Sequence, residues 1–139
     1  MTKRVQQPKR LRVFVLDSEA LSQAVRGERR MIALLDLAAK GEVEVITSPM
    51  TVIEAHDGRI TERRWDWVLS RLQVADLGRD QARAARRLLA DAGLHGHKYA
   101  IDAVLAVVAK EQRGQVTVFT SDVDDLERLL PPTVVVRKV

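Results

Sequence analysis

The chain predicts an α/β fold, a three-layer sandwich with a mainly parallel central sheet flanked by helices. Three observations carry this. Short runs rich in β-branched and aromatic residues, such as RVFVLD (12–17), VEVIT (43–47) and VTVFT (116–120), read as buried strands. Longer segments of helical periodicity lie between them, bounded by capping residues and glycines. Strands that alternate with helices are joined by crossovers, which makes the strands parallel and covers the sheet on both faces.

Each element follows in order. Arg12–Asp17 is the first strand, and Ser18 caps a short helix from Glu19 to about Arg26. Arg30–Lys40 is a helix with Ile32, Leu35 and Ala39 on one face and Gly41 as its stop. Val43–Thr47 is the next strand. Ser48–Pro49 then matches an N-cap followed by proline at the first helical position, opening a helix that carries Glu54. Thr61 caps a helix over Glu62–Leu72, and Val74–Leu77 is a brief strand or extended link. Asp80–Ala92 is a basic helix ended by Gly93, and Lys98–Arg113 is the most apolar helix. Val116–Thr120 is a strand, Val123–Leu130 a short acidic helix, and Thr133–Val136 a last strand after Pro131–Pro132. No internal repeat and no dividing linker is visible, so residues 12–139 are expected to form one domain.

Composition bounds the function. A chain of 139 residues, 46% hydrophobic and 30% charged, is large enough and apolar enough to bury a core. Without cysteine it has no disulfide and no thiolate zinc site. The longest apolar stretch, Ala100–Ala109, contains Asp102 and is too short to span a bilayer. No apolar segment follows the basic start as in a secretory leader, so a cytoplasmic protein is expected. The net charge of +4 is local: Lys3, Arg4, Lys9, Arg10 and Arg12 supply five positive charges, and without them the chain nets −1. Residues 1–11 are therefore read as a basic, flexible tail. Such a tail contacts phosphates or is simply solvated.

Four acids interrupt this pattern. They are Asp17 at the end of the first strand, Glu54 in TVIEAHDG, Asp102 in YAIDAVLAVVA and Asp122 after VFTS. No Lys or Arg lies within four residues of Asp17 or Asp122, and Asp102 has only Lys98 one turn away. Buried charges are ordinarily paired or bound to metal, so this set suggests a divalent cation. In open parallel sheets, ligands bind beyond the carboxyl ends of the strands, where strand order reverses. Asp17 and Asp122 both belong to that edge. Ile101, Leu105 and Val108 form one apolar stripe and Val104 and Val107 another, which makes Asp102 a buried acid. A first-turn acid favoured by the helix dipole is the competing reading of Asp102.

An Asp ending the first strand, a Glu on a mid-chain helix, an Asp opening an Ala/Val-rich helix and a TSD triplet after a late strand resemble a PIN-domain ribonuclease. The likeness is greatest to VapC-type toxins of type II toxin–antitoxin pairs, and it spans about residues 12–136. It implies a PIN-like fold and an acidic quartet at Asp17, Glu54, Asp102 and Asp122, with Ser18 and Thr120 as accompanying hydroxyls and weak candidates for substrate binding. It further implies an RNA substrate, a cognate antitoxin and a homodimer. Glu19 departs from the pattern by adding charge beside Ser18. Asp124 and Asp125 extend the late motif, as auxiliary ligands or as first-turn acids.

Phosphodiester hydrolysis explains the residue types. Mg²⁺ or Mn²⁺ held by oxygen ligands activates water and stabilises charge on the phosphoryl group. Asp17 and Asp102 are assigned as direct ligands, Asp122 as a direct or water-mediated one, and Glu54 as the residue that holds or orients a water. Arg83 and Arg87 share a face of the basic helix and Lys98 lies a turn before Asp102. All three are weak candidates for substrate phosphate, against the alternative of a solvated basic face.

His95 and His97 form an H-x-H in a glycine-rich loop without enough further ligands for zinc. Trp65 and Trp67 point in different directions from one helix, so one core and one interface position are expected. Two other function classes stay in view. A receiver-like signalling domain needs a phospho-acceptor Asp that is missing from TSP at the end of the second strand. A catalytically silent PIN-like module would bind RNA or protein without cleaving.

Overall fold

The computed structural model describes residues 11–139, so the basic segment assigned to residues 1–11, apart from Leu11, lies outside the described residues. Five parallel strands form one sheet in the order β3-β2-β1-β4-β5. They are β1 (Arg12–Leu16), β2 (Glu44–Thr47), β3 (Gln73–Val74), β4 (Gln115–Thr120) and β5 (Val135–Lys138). The chain builds β1, β2 and β3 outward on one side, then crosses back to lay β4 and β5 on the other. Strand order therefore reverses between β1 and β4. This order differs from the 2-1-3-4-5 arrangement of receiver domains, which removes the signalling alternative.

Helices cover both faces. On one, α5 (Arg79–Ala92), α6 (Gly96–Glu111) and α7 (Val123–Leu129) pack Leu89, Leu105, Val108 and Leu126 against Val13, Val15 and Val118. On the other, α1 (Ser18–Val25), α2 (Arg29–Ala39) and α4 (Glu62–Leu69) pack Leu21, Leu35, Trp65 and Val68 against Phe14, Leu16 and Val45. The short α3 (Pro49–Glu54) links β2 to this layer. The central β1 is covered on both sides, and its run from Val13 to Leu16 is buried. In β4, Val116, Val118 and Thr120 are buried under α6 and α7, whereas Thr117 and Phe119 on the opposite face are only partly covered.

Several boundaries differ from expectation for local reasons. β1 stops at Leu16, and Asp17 rather than Ser18 is the N-cap of α1, its carboxylate accepting from the Ala20 N–H. The α6 helix starts at Gly96, so His95 is its N-cap residue and His97 lies in its first turn instead of in a loop. Gly93 adopts φ 67° and ends α5, as its position implies. α4 ends at Leu69, three residues short of Leu72, β3 is Gln73–Val74 rather than Val74–Leu77, and β5 is shifted two residues along from the run Thr133–Val136 read as the last strand. Trp65 is buried, while Trp67 is half-buried between the guanidinium groups of Arg64 and Arg71. Among the described residues, no helix is long and apolar enough to cross a membrane.

Candidate functional site

The carboxyl ends of β1 and β4 meet through local hydrogen bonds. The Asp17 N–H donates to the Phe119 carbonyl at 3.0 Å, continuing the β1–β4 ladder one residue past the strand. One Asp17 carboxylate oxygen accepts from Ala20 and the other from the Ser121 N–H, each at 2.9 Å. Asp17 thus ties the first strand–helix turn to the late one. Thr120 is fully buried, and its hydroxyl accepts from the Asp122 N–H at 2.9 Å. The Thr47 hydroxyl donates to the Leu16 carbonyl at 2.7 Å, which fixes the end of β2 to the same edge.

Asp102 is the seventh residue of α6, two turns from its start. Helix-dipole stabilisation is confined to the first turn, so the dipole does not account for this acid. The first half of α6 is more open than its apolar pattern implies: Lys98 and Ala100 are exposed, Ile101 and Asp102 half-buried, and the run Leu105–Ala109 fully covered. Asp102 stands where the helix passes from solvent into the core.

The electrostatics converge on this residue. Burial, then the charges of Asp125, Asp122, Glu54 and Asp17, push the Asp102 carboxyl up to about 6. All four predicted acids therefore share one neighbourhood. Asp125, weighed from sequence as an auxiliary ligand or a first-turn acid, lies in the first turn of α7 and is the acid whose charge bears most on Asp102. Burial also raises Asp17, opposed by its hydrogen bonds from Ala20 and Ser121 and by the Thr120 hydroxyl. Asp125 is raised by its contact with the Asp122 carboxylate, and the charges of Lys98 and Arg128 pull it back. Lys98 thus borders the acidic edge. Arg83 and Arg87 project to solvent from α5, and no ion pair or hydrogen bond among the described residues joins them to the acids. Ser18 is half-buried at the first position of α1, beside Asp17.

The donor set is all oxygen, which suits a hard divalent cation and not a soft one. As the side chains stand, no three of the described His, Asp or Glu residues form a group that would hold an ion. The hydrogen bonds explain part of this: both oxygens of Asp17 face backbone N–H groups, and one oxygen of Asp122 accepts from the Asp125 N–H at 3.4 Å. Asp125 is in contact with the Asp122 carboxylate rather than turned toward Asp102 and Asp17 as a common ligand set. Coordination therefore requires side chains to turn inward, and the negative charge that a cation would neutralise is already concentrated there. One further polar group went unnoticed in the sequence: the Thr51 hydroxyl, fully buried on α3 one turn before Glu54, has no hydrogen-bond partner. Its only sequence signal is the three-residue spacing from Glu54.

Comparisons with known proteins agree with this geometry. A family model described as PIN domain matches residues 14–129. Among solved structures, the chain is similar to VapBC2 from Rickettsia felis bound to a DNA fragment from their promoter. The identity is 17%, the TM-score 0.63, and the match covers 91% of this chain and 98% of that one. It is also similar to a toxin–antitoxin complex from Klebsiella pneumoniae at 20% identity and TM-score 0.63, covering 87% and 94% of the two chains. No curated protein matches the sequence significantly.

Proposed function

The chain belongs to the PIN-domain family, and from that premise we propose that it is a Mg²⁺- or Mn²⁺-dependent endoribonuclease, the toxin of a toxin–antitoxin pair. One observation carries the reading: Asp102 is half-buried among four other acids, at the edge where strand order reverses, and its carboxyl is pushed up to about 6. A fold that concentrates uncompensated carboxylates at its ligand-binding edge is suited to a cation.

In this reading Asp17, Asp102 and Asp122 hold the metal, with Asp125 beside them. A bound divalent cation would polarise the phosphoryl oxygens and lower the pKa of a coordinated water. Glu54, exposed at the end of α3, orients the attacking water. The Thr120 hydroxyl holds the turn that presents Asp122, and Ser18 offers a hydroxyl to the substrate beside Asp17. Water adds to phosphorus, the bond to the leaving oxygen breaks, and that oxygen takes a proton. Lys98 offers a cation to the substrate phosphate beside the acids, with Arg83 and Arg87 as more remote contacts.

The structural neighbours are toxin–antitoxin complexes, which supports an antitoxin partner here. A cationic antitoxin segment, entering the acidic edge with an Arg that pairs bidentately with carboxylates, would exclude metal and substrate together. A homodimer in the cytoplasm completes the proposal.

A second reading has one observation in its favour. Asp17 and Asp122 both serve as helix caps, and no three ligands are gathered, as in a silent PIN-like module that binds RNA or protein. Incubating the purified chain with mixed RNA, with Mg²⁺ or Mn²⁺ and with EDTA, decides between them. Metal-dependent cleavage that EDTA stops is the expected result, and intact RNA in every lane favours the silent module.

A further inference from the structure

A cavity among the described residues opens at the amino end of β4. It has a volume of about 790 Å³ and is lined by the first half of β4, by Val135 and Arg137 of β5, by the end of α6 and by the loop before β5. Arg12, Lys110 and Arg137 contribute three cations, Gln112, Gln115, Thr117 and Thr133 contribute polar groups, and no Asp or Glu is among the lining residues. The ion pairs among the described residues are Arg26–Glu19 and Arg59–Asp57, so none of the three cations is neutralised by one. The Arg12 guanidinium lies 5.1 Å from the centre of the Phe14 ring. Stacking holds a guanidinium in place and leaves its N–H groups free for an anion.

We propose that this basic cavity is a phosphate-anchoring site for the sugar–phosphate backbone of single-stranded RNA. The proposal rests on the nuclease reading for its choice of polyanion. No aromatic side chain lines the cavity to stack a base, so recognition there is of phosphate and independent of sequence. Its position answers a physical demand. The acidic edge repels a polyanion. Arg12 and Gln115, which pair in register, lie at the other end of β4, on the order of 17 Å away at strand spacing, while Arg137, paired with Phe119, lies on the side nearer the acids. Cations spread along that path retain the strand without sitting among the metal ligands.

The test measures binding and cleavage separately. In EDTA, where no cleavage occurs, a fluorescently labelled single-stranded RNA is titrated with the full chain and with the R12Q/K110Q/R137Q variant across a salt series. All three residues are exposed, so the fold is expected to persist, and far-UV circular dichroism checks it. If the triple variant misfolds, K110Q/R137Q alone serves. Each phosphate contact on a single strand contributes about 0.7 to the log–log salt slope, so losing three flattens it by about 2 and weakens low-salt binding about ten-fold or more. Metal-dependent cleavage of a dinucleotide, whose single phosphate is the one cleaved, should be unchanged.

An unaltered salt slope overturns the proposal, whether or not the wild type cleaves RNA. A flattened slope in a chain that never cleaves leaves the anchor standing and removes the nuclease. Unchanged RNA binding with weakened binding of an acidic protein partner also overturns it, in favour of a protein-docking surface.

Discussion

Two aspartates of this chain meet opposite fates. In the loop after α3, the half-buried Asp57 is fully matched by the exposed Arg59: it accepts from the Arg59 backbone N–H at 2.9 Å and from two guanidinium nitrogens at 3.0 and 2.9 Å. The Arg59 side chain holds its carboxyl down at about 2. At the end of β1 and β4, burial and four acidic neighbours hold Asp102 at about 6. Both residues are aspartates in one domain, so the difference comes from what surrounds them. Both are half-buried, yet the fold supplies a counter-charge to Asp57 and surrounds Asp102 with further acids. Electrostatic frustration retained at one edge, when pairing is available elsewhere, marks that edge as a place for a ligand.

The largest effect that would break this contrast is on activity. Asp102→Asn should reduce metal-dependent RNA cleavage by about 100-fold or more, as removal of a metal ligand does, while Asp57→Asn should leave it unchanged. Equal losses in a single-turnover assay would mean that the two sites do not differ in kind. Next in size is the response to metal. Mg²⁺ or Mn²⁺ at a concentration 100 times Kd should stabilise the wild type by about 2.7 kcal/mol, read as a rise in Tm. Asp57→Asn should keep that rise and Asp102→Asn should lose most of it.

A smaller effect separates two acids within the site. Asp17→Asn exchanges a carboxylate oxygen that accepts from Ser121 for an amide, losing the charge-assisted bond at a cost of about 1 kcal/mol in metal-free stability. Asp102→Asn removes a repelled charge and should raise metal-free stability at pH 8, measured by urea unfolding. The smallest effect is the pH profile. Folded Asp102 keeps its proton to about pH 6, whereas the unfolded chain loses it near pH 4, so the folded state binds more protons in that window. Asp102 therefore makes metal-free stability fall as pH rises from about 4 to about 6, and the contribution is flat above. Asp57, held low, makes the opposite contribution below pH 4. Comparing the urea midpoints of Asp102→Asn and wild type across pH 4–7 isolates the slope.

The central strands were legible because β1, β2 and β4 are runs of β-branched and aromatic residues, whereas the short, exposed β3 and β5 were placed less well. The helices α3 and α5 were delimited because Ser48–Pro49 and Gly93 signal them chemically. The acids stood out in the sequence because Asp17 and Asp122 have no Lys or Arg close by and Asp102 lies in an apolar helix, and the charges of Asp17, Glu54 and Asp122 all bear on Asp102. Their local roles were not. Asp17 and Ser18 are both good caps, and the choice between them depends on the Ser121 N–H, which no local window contains. Helical periodicity made Asp102 fully buried, yet α6 leaves its first turns in solvent, because only its second half lies under the sheet. The cationic cavity was invisible for a related reason: Arg12, Lys110 and Arg137 are far apart in the chain, and strand order alone brings them together.

That strand order also sets a schedule. The site depends on contacts between Asp17 and the turn after β4, and the Asp17–Ser121 hydrogen bond joins residues 104 positions apart. β1 lies at the centre of the sheet, yet its β4 neighbour is made more than three-quarters of the way along the chain. At roughly 5–20 residues per second, a ribosome spends on the order of 5–20 s between the two strands. Throughout that interval the acids already synthesised have no partner edge on which to converge. The acidic edge of this protein is thus incomplete throughout synthesis until β4 has emerged, so whatever that edge does begins only once nearly the whole chain has been made.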